Sequence, residues 1–170
     1  LENGLPEPST DTNDNPTLLV IDDELAVRRS LARLLSRQGF TVLEAATAEE
    51  GLTLAKDNEV SVALVDCQLP GAEGGEVIRN LHQASPTTEI VALTPMGASE
   101  ISFHVVRAGA CDYFEKPISD WHRFFQVIHK ALEIRTLKAE KTRLSKLRSG
   151  EAIEQLIGTS AAMRDLAALI

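Results

Sequence analysis

Five short apolar runs rich in β-branched residues recur along the chain, and a segment with helical spacing follows each of them. The runs are TLLVI from Thr17, TVLEA from Thr41, SVALV from Ser61, EIVAL from Glu89 and CDYF from Cys111. Val27, Leu31, Leu34 and Leu35 mark one face of a first helix that stops at Gly39. Leu52 and Leu54 sit in a second, Val77, Ile78 and Leu81 in a third, and Ile101, Val105 and Val106 in a fourth that ends near Gly109. Five strands alternating with helices at this spacing predict an α/β fold, a doubly wound parallel sheet with helices on both faces. Runs as continuously apolar as VALV and IVAL suit strands buried on both sides.

Such a unit takes up most of the 170 residues and leaves a remainder. With 44% hydrophobic and 25% charged residues, the chain can bury an ordinary core. Its net charge of −8 argues against bulk nucleic-acid binding. No apolar run approaches a membrane span and no secretory h-region opens the sequence, so a cytoplasmic location without a membrane partner is expected. Cys67 and Cys111 match no metal or redox spacing and are expected as two buried thiols. His82, His104, His122 and His129 share no spacing and are expected on helix surfaces.

The two ends differ from the middle. Residues 1–16, polar and punctuated by proline, read as a disordered lead-in. The chain opens on Leu1 rather than Met, so a fragment of a longer protein is expected. After the fifth run no Gly or Pro occurs between Ile118 and Gly150. Ser119 or Asp120 can cap a helix there and Gly150 can end it. At some 30 residues that helix would be about 45 Å long, too long to lie on a small sheet alone. Phe124, Val127, Ile128 and Leu132 suit its first half to packing on the domain. Beyond them Ile134, Leu137, Leu144 and Leu147 form a thin stripe, interrupted by Lys141, that approximates a short coiled-coil seam. The basic excess from Arg135 to Arg148 reads as a solvated helix face.

In a doubly wound sheet, ligands sit beyond the carboxyl ends of the strands, where the strand order reverses. Asp22 and Asp23 follow the first run, Asp66 the third, Thr94 the fourth and Lys116 the fifth, with Pro117 after it. Each alone would be unremarkable in a turn. Together they make a specific set. Carboxylate and carbonyl oxygens at an open edge suit Mg²⁺, which keeps several waters and bridges to phosphate. The consecutive acids Asp22, Asp23 and Glu24 would otherwise repel one another, and a divalent cation would neutralise them. One carboxylate would act as nucleophile and form an acyl phosphate. Lys116 would then neutralise one phosphoryl oxygen while Thr94 hydrogen-bonds another.

The segments VIDDE, LVDCQLPG, ALT and DYFEKP, in this order and spacing, resemble the receiver domain of bacterial two-component response regulators. The resemblance covers roughly residues 17–132 and implies the flavodoxin-like strand order 2-1-3-4-5. It implies that Asp66 is the phospho-acceptor, Asp23 a direct Mg²⁺ ligand, Asp22 its acidic partner acting through water, and Gln68 a ligand through its backbone carbonyl. Thr94 and Lys116 match the residues that sense the phosphoryl group, and Tyr113 matches the aromatic switch. A histidine kinase is the implied phosphoryl donor. The tail, EQLIGTSAAMRDLAALI, is similar to the segment that opens the AAA+ ATPase domain of NtrC-type, sigma-54-dependent activators. Residues 133–150 are then a helical linker and 151–170 the start of a truncated AAA+ domain. No GxxxxGK[ST] loop occurs, so ATP, sigma-54 RNA polymerase and DNA would be partners of the parent protein and not of this chain. The chain is expected to be regulatory, not an enzyme, and to form a homodimer through its last helix.

Two other readings compete. Aspartyl-phosphate phosphatases use a DxDx(T/V) pattern that IDDEL lacks. A receiver fold can also serve as an unphosphorylated dimerisation or ligand-sensing scaffold. The departure at Pro95 speaks for the latter, because the residue after the switch threonine is usually Ala or Gly in the resembling family and its N–H normally bonds a phosphoryl oxygen. Proline has no N–H.

Overall fold

A computed structural model describes the backbone of residues 15–167 and the side chains of residues 15–147 apart from position 99. Five strands, β1 (Thr17–Ile21), β2 (Thr41–Ala45), β3 (Val62–Asp66), β4 (Glu89–Pro95) and β5 (Asp112–Lys116), alternate with five helices. The helices are α1 (Leu25–Arg37), α2 (Ala48–Asp57), α3 (Gly74–Ala84), α4 (Ser99–Ala108) and α5 (Trp121–Ala167). The strands form one sheet in the order β2-β1-β3-β4-β5, every neighbouring pair parallel. The flavodoxin-like order expected above is the observed one. Because β2 lies on one side of β1 and β3 on the other, the order reverses between β1 and β3, which opens a crevice at their carboxyl ends.

The period-two alternation of strand side chains divides the core into two layers. Leu19, Ile21, Ala63, Val65 and Ala92 meet Ile78 and Leu81 of α3 and Val105 of α4 on one face. Leu18, Val20, Leu64, Val91 and Leu93 meet Leu35 of α1 and Phe124 and Ile128 of α5 on the other. Every residue of β3 is buried, as its unbroken apolar run requires. Truncating one of the fully buried leucines, Leu64 for instance, to alanine would cost about 2–5 kcal/mol through lost contact and a residual cavity.

Local chemistry sets the helix ends. Thr47 caps α2 by accepting from the Glu50 N–H at 3.2 Å. Gly109 closes α4 in the left-handed region at φ +117°, where a side chain would be strained. Of the two candidate caps for α5, Asp120 is the one used, its Oδ1 accepting from Arg123 N–H at 3.0 Å.

The long helix departs from expectation at its far end. It does not stop at Gly150 but runs 47 residues to Ala167, about 70 Å at 1.5 Å per residue. A lone glycine inside a helix costs only about 1 kcal/mol against alanine, and no proline follows to enforce a stop. The basic face after Leu132 is exposed from Lys138 to Leu147, as expected, but two of its cations are paired with the domain. Arg135 Nη2 reaches Glu59 Oε1 at 2.6 Å, and Lys138 Nζ reaches Glu89 Oε1 at the same distance. Docking on the domain therefore extends to Lys138. Leu137, Leu144 and Leu147 of the stripe are exposed, whereas Ile134 is half-buried. Residues 1–14 of the lead-in, the side chains of the tail segment and residues 168–170 lie outside the described residues. No described helix is long and apolar enough to cross a membrane.

Candidate functional site

Asp22 directly follows β1, Asp66 ends β3 and Lys116 ends β5, so the sheet itself brings together three residues that are up to 94 positions apart. Asp22 is fully buried and Asp66 2% exposed. Lys116 Nζ bridges them, 2.7 Å from Asp66 Oδ2 and 3.2 Å from Asp22 Oδ2. The remaining oxygens are also engaged. Asp22 Oδ1 accepts from Glu24 N–H at 2.9 Å, and Asp66 Oδ1 accepts from Gln68 N–H at 3.0 Å. Two buried carboxylates are tolerable because one ammonium and two main-chain N–H groups face them.

The puzzle of the consecutive acids is thus resolved differently for each of them. Lys116 offsets one of the two charges of Asp22 and Asp66 and the Glu24 and Gln68 N–H groups hydrogen-bond their other oxygens, while Asp23 stands exposed beside them. Burial on its own would lower the Lys116 pKa. The hydrogen bond and charge of Asp66, joined by those of Asp22, reverse the sign and hold the ammonium above its ordinary value. Cys67, next to Asp66, is half-buried. Desolvation, reinforced by the Asp66 charge, pushes its thiol up to about 12, and it stays a neutral packing group. Cys111 is likewise pushed up, to about 11, chiefly by burial.

Ligand oxygens of Asp22, Asp23 and Asp66 all lie within 4.8 Å of one another. Such an oxygen-only cluster, with one member open to solvent, fits a hard divalent cation that keeps part of its water shell. The donor chemistry therefore agrees with Mg²⁺. The buried Thr94 hydroxyl has no hydrogen-bond partner among the described residues, an arrangement that costs on the order of 1–3 kcal/mol unless a ligand completes it.

Tyr113 takes its place on the face that carries Thr94. It pairs with Ala92, two residues before Thr94, and packs half-buried against the core layer under α3 and α4. Pro95 ends β4 opposite Lys116. Its ring, with Met96, Gln68 and Lys116, lines a cavity of about 510 Å³ that continues between Val27 and Leu31 of α1 and Trp121 of α5. A glycine sets the near wall of the site. A Cβ on Gly74 would lie 2.9 Å from Cys67 Cα, so α3 can start this close to the end of β3 only without a side chain there.

All four histidines are exposed, as their irregular spacing implied. Sequence reasoning did not single out Arg28, whose Nη1 donates to the Asp22 carbonyl at 2.6 Å. Nor did it find the apolar cavity walled by Met96, Ile118 and Trp121. The signal for Arg28 was its place one turn into the helix after the acids, which has meaning only once the loop's path is known.

Comparison with known proteins agrees with this geometry. The model of the Response regulator receiver domain family matches residues 18–140, well over half of the chain. The photosynthetic apparatus regulatory protein RegA of Rhodovulum sulfidophilum is 33% identical over 111 residues, which cover 65% of this chain and 61% of that protein. The C4-dicarboxylate transport transcriptional regulatory protein DctD of Pseudomonas aeruginosa is 30% identical over 151 residues, 88% of this chain and 32% of that protein. Among solved structures, a response regulator protein from Burkholderia pseudomallei with a phosphorylated aspartic acid, calcium ion and citrate superposes with a TM-score of 0.62 at 28% identity, covering 75% of each chain. The chain thus spans about six-tenths of the length of RegA and about a third of DctD.

Proposed function

The chain belongs to the response regulator receiver family, regulatory domains of two-component systems, and from that premise we propose that Asp66 accepts a phosphoryl group from the phosphohistidine of a histidine kinase. One observation carries the reading: Lys116 holds Asp66 and Asp22 together at the sheet's carboxyl edge, with Asp23 open beside them. The phosphorylated aspartic acid and divalent cation of the Burkholderia protein support it.

In this reading an Asp66 oxygen attacks phosphorus as the phosphorus–nitrogen bond of the donor breaks, the imidazole leaving with the bonding electron pair. Asp23, Asp66 and the Gln68 carbonyl would hold Mg²⁺ directly and Asp22 through water. When bound, the cation supplies charge neutralisation for the phosphoryl oxygens. Lys116 moves its bond from Asp66 Oδ2 to a phosphoryl oxygen while keeping Asp22 as its counter-charge. The Thr94 hydroxyl, unpartnered beforehand, gains a phosphoryl oxygen to donate to. Its displacement frees space on the face it shares with Tyr113, which then acts as the switch aromatic.

Downstream, the domain would govern the dimeric state of a longer cytoplasmic activator whose AAA+ part uses ATP and meets sigma-54 RNA polymerase at DNA. The similarity to DctD across 88% of this chain, linker helix included, supports that placement. Intact mass after incubation with acetyl phosphate and Mg²⁺ tests the core of the reading: wild type gains one phosphoryl group and Asp66→Asn gains none.

Pro95 favours a second reading, an unphosphorylated scaffold. It removes the N–H that would bond a phosphoryl oxygen and puts a ring at the mouth of the site. Absence of any phosphoryl adduct on wild type, at any donor concentration, would favour that alternative.

A further inference from the structure

Arg28 sits in the first turn of α1 and turns its guanidinium back onto the loop that carries Asp22 and Asp23. Nη1 donates to the Asp22 main-chain carbonyl at 2.6 Å, and Nε lies 3.6 Å from Glu44 Oε2 on β2. The side chain is only 12% exposed. The rest of the loop is tied at two further points, Asp22 N–H to the Ala45 carbonyl at 3.1 Å and Glu24 N–H to Asp22 Oδ1 at 2.9 Å. Between these ties, the Arg28 bond fixes the peptide that joins the buried Asp22 to the exposed Asp23.

We infer that Arg28 is a positioning residue for the metal site: it holds that peptide so that the Asp23 carboxylate stays over Asp22 and Asp66. The inference rests on reading those three acids as a Mg²⁺ site. Charge alone predicts the opposite effect. A guanidinium beside the cluster repels a dication, so its removal would tighten Mg²⁺ binding. A short charge-assisted bond to a carbonyl of a fully buried residue is the stronger constraint, because its loss leaves that carbonyl unsatisfied and the peptide free to turn. Positioning therefore wins, and the sign of the change in affinity decides between the two effects.

Calorimetric titration of Mg²⁺ into the full chain provides the test, with Asp23→Asn as the control that lacks a ligand. Arg28→Gln is expected to weaken binding by about tenfold or more, the usual scale for groups that orient metal ligands. Arg28→Lys, which keeps a charged donor for the carbonyl, should recover most of that loss. Urea unfolding in chelator shows whether Arg28→Gln is folded. If it is not, Arg28→Lys decides: charge is unchanged, so charge alone predicts wild-type affinity, whereas loss of the Nε contact to Glu44 should leave a small weakening. Arg28→Gln binding as tightly as wild type, or more tightly, overturns the role of Arg28 alone. A wild type that binds no better than Asp23→Asn overturns the metal reading and this inference with it.

Discussion

Lys116 Nζ lies 2.7 Å from Asp66 Oδ2, so the ammonium is already bonded to the carboxylate proposed to receive a phosphoryl group. The same nitrogen holds Asp22, and both acids are almost wholly buried. Removing Lys116 leaves two like charges together without a counter-charge.

Lys116→Met should therefore destabilise the chain by about 3 kcal/mol in chelator, the scale for breaking a buried pair from one side. Mg²⁺ should restore more stability to the variant than it adds to wild type. The pH dependence has a definite sign. Asp66 and Asp22 raise the folded-state pKa of Lys116 against the opposing effect of burial. Its contribution is then complete below the ordinary value of 10.5 and is lost as pH rises through the folded-state value. Urea unfolding across that alkaline window should show wild type losing stability toward the variant. Parallel curves would contradict it.

Lys138→Met tests the hold of the domain on the linker helix. Glu89 is 4% exposed and its partner Lys138 is 58% exposed, so the loss should be moderate, about 1–2 kcal/mol after allowance for solvent. The double variant Glu89→Gln, Lys138→Met should recover most of it, because no charge is then left buried. If the single variant unfolds at the wild-type urea midpoint, the pair contributes nothing.

Leu137, Leu144 and Leu147 are exposed along the extension of α5, and pairing with a second copy would gain about 25 cal/mol per Å² of apolar surface buried. The triple change Leu137→Ser, Leu144→Ser, Leu147→Ser should shift sedimentation equilibrium from dimer toward monomer. Cutting the chain after Leu132 is the poorer test, since it also removes Lys138 and strands Glu89. Wild type that stays monomeric at high concentration would contradict the seam.

Pro95→Ala should accelerate phosphorylation or enlarge the phosphorylation-dependent change in dimerisation. A hydrogen bond to a charged group is worth about 1.5–3 kcal/mol, roughly ten- to a hundredfold in rate or equilibrium. Thr94 itself is undisturbed, because the residue before a proline favours the extended conformation of a strand end. Identical behaviour of wild type and variant would make Pro95 a neutral substitution.

The sheet's central strands and their edge residues were legible because β1 and β3 each announce themselves twice, by an apolar run and by the acid that ends it. TLLVI then Asp22, and VALV then Asp66, needed only the rule that ligands gather where strand order reverses. What escaped was chemistry between parts distant in sequence or carried by the main chain. Arg28 bonds a carbonyl, which no residue letter marks. Lys138 and Glu89 are 49 positions apart, and the helix face they join looked solvated in isolation. Gly150 carried an honest stop signal that the helix formers after it overrode.

The most direct measurement is a time course of intact mass with acetyl phosphate as donor, in Mg²⁺ and in excess chelator, on wild type, Asp23→Asn and Asp66→Asn. A single phosphoryl adduct should form on wild type in Mg²⁺, slow greatly in chelator and in Asp23→Asn, and be absent from Asp66→Asn. An adduct of equal extent on Asp66→Asn, or one indifferent to chelator, would contradict Asp66 as a Mg²⁺-dependent phospho-acceptor.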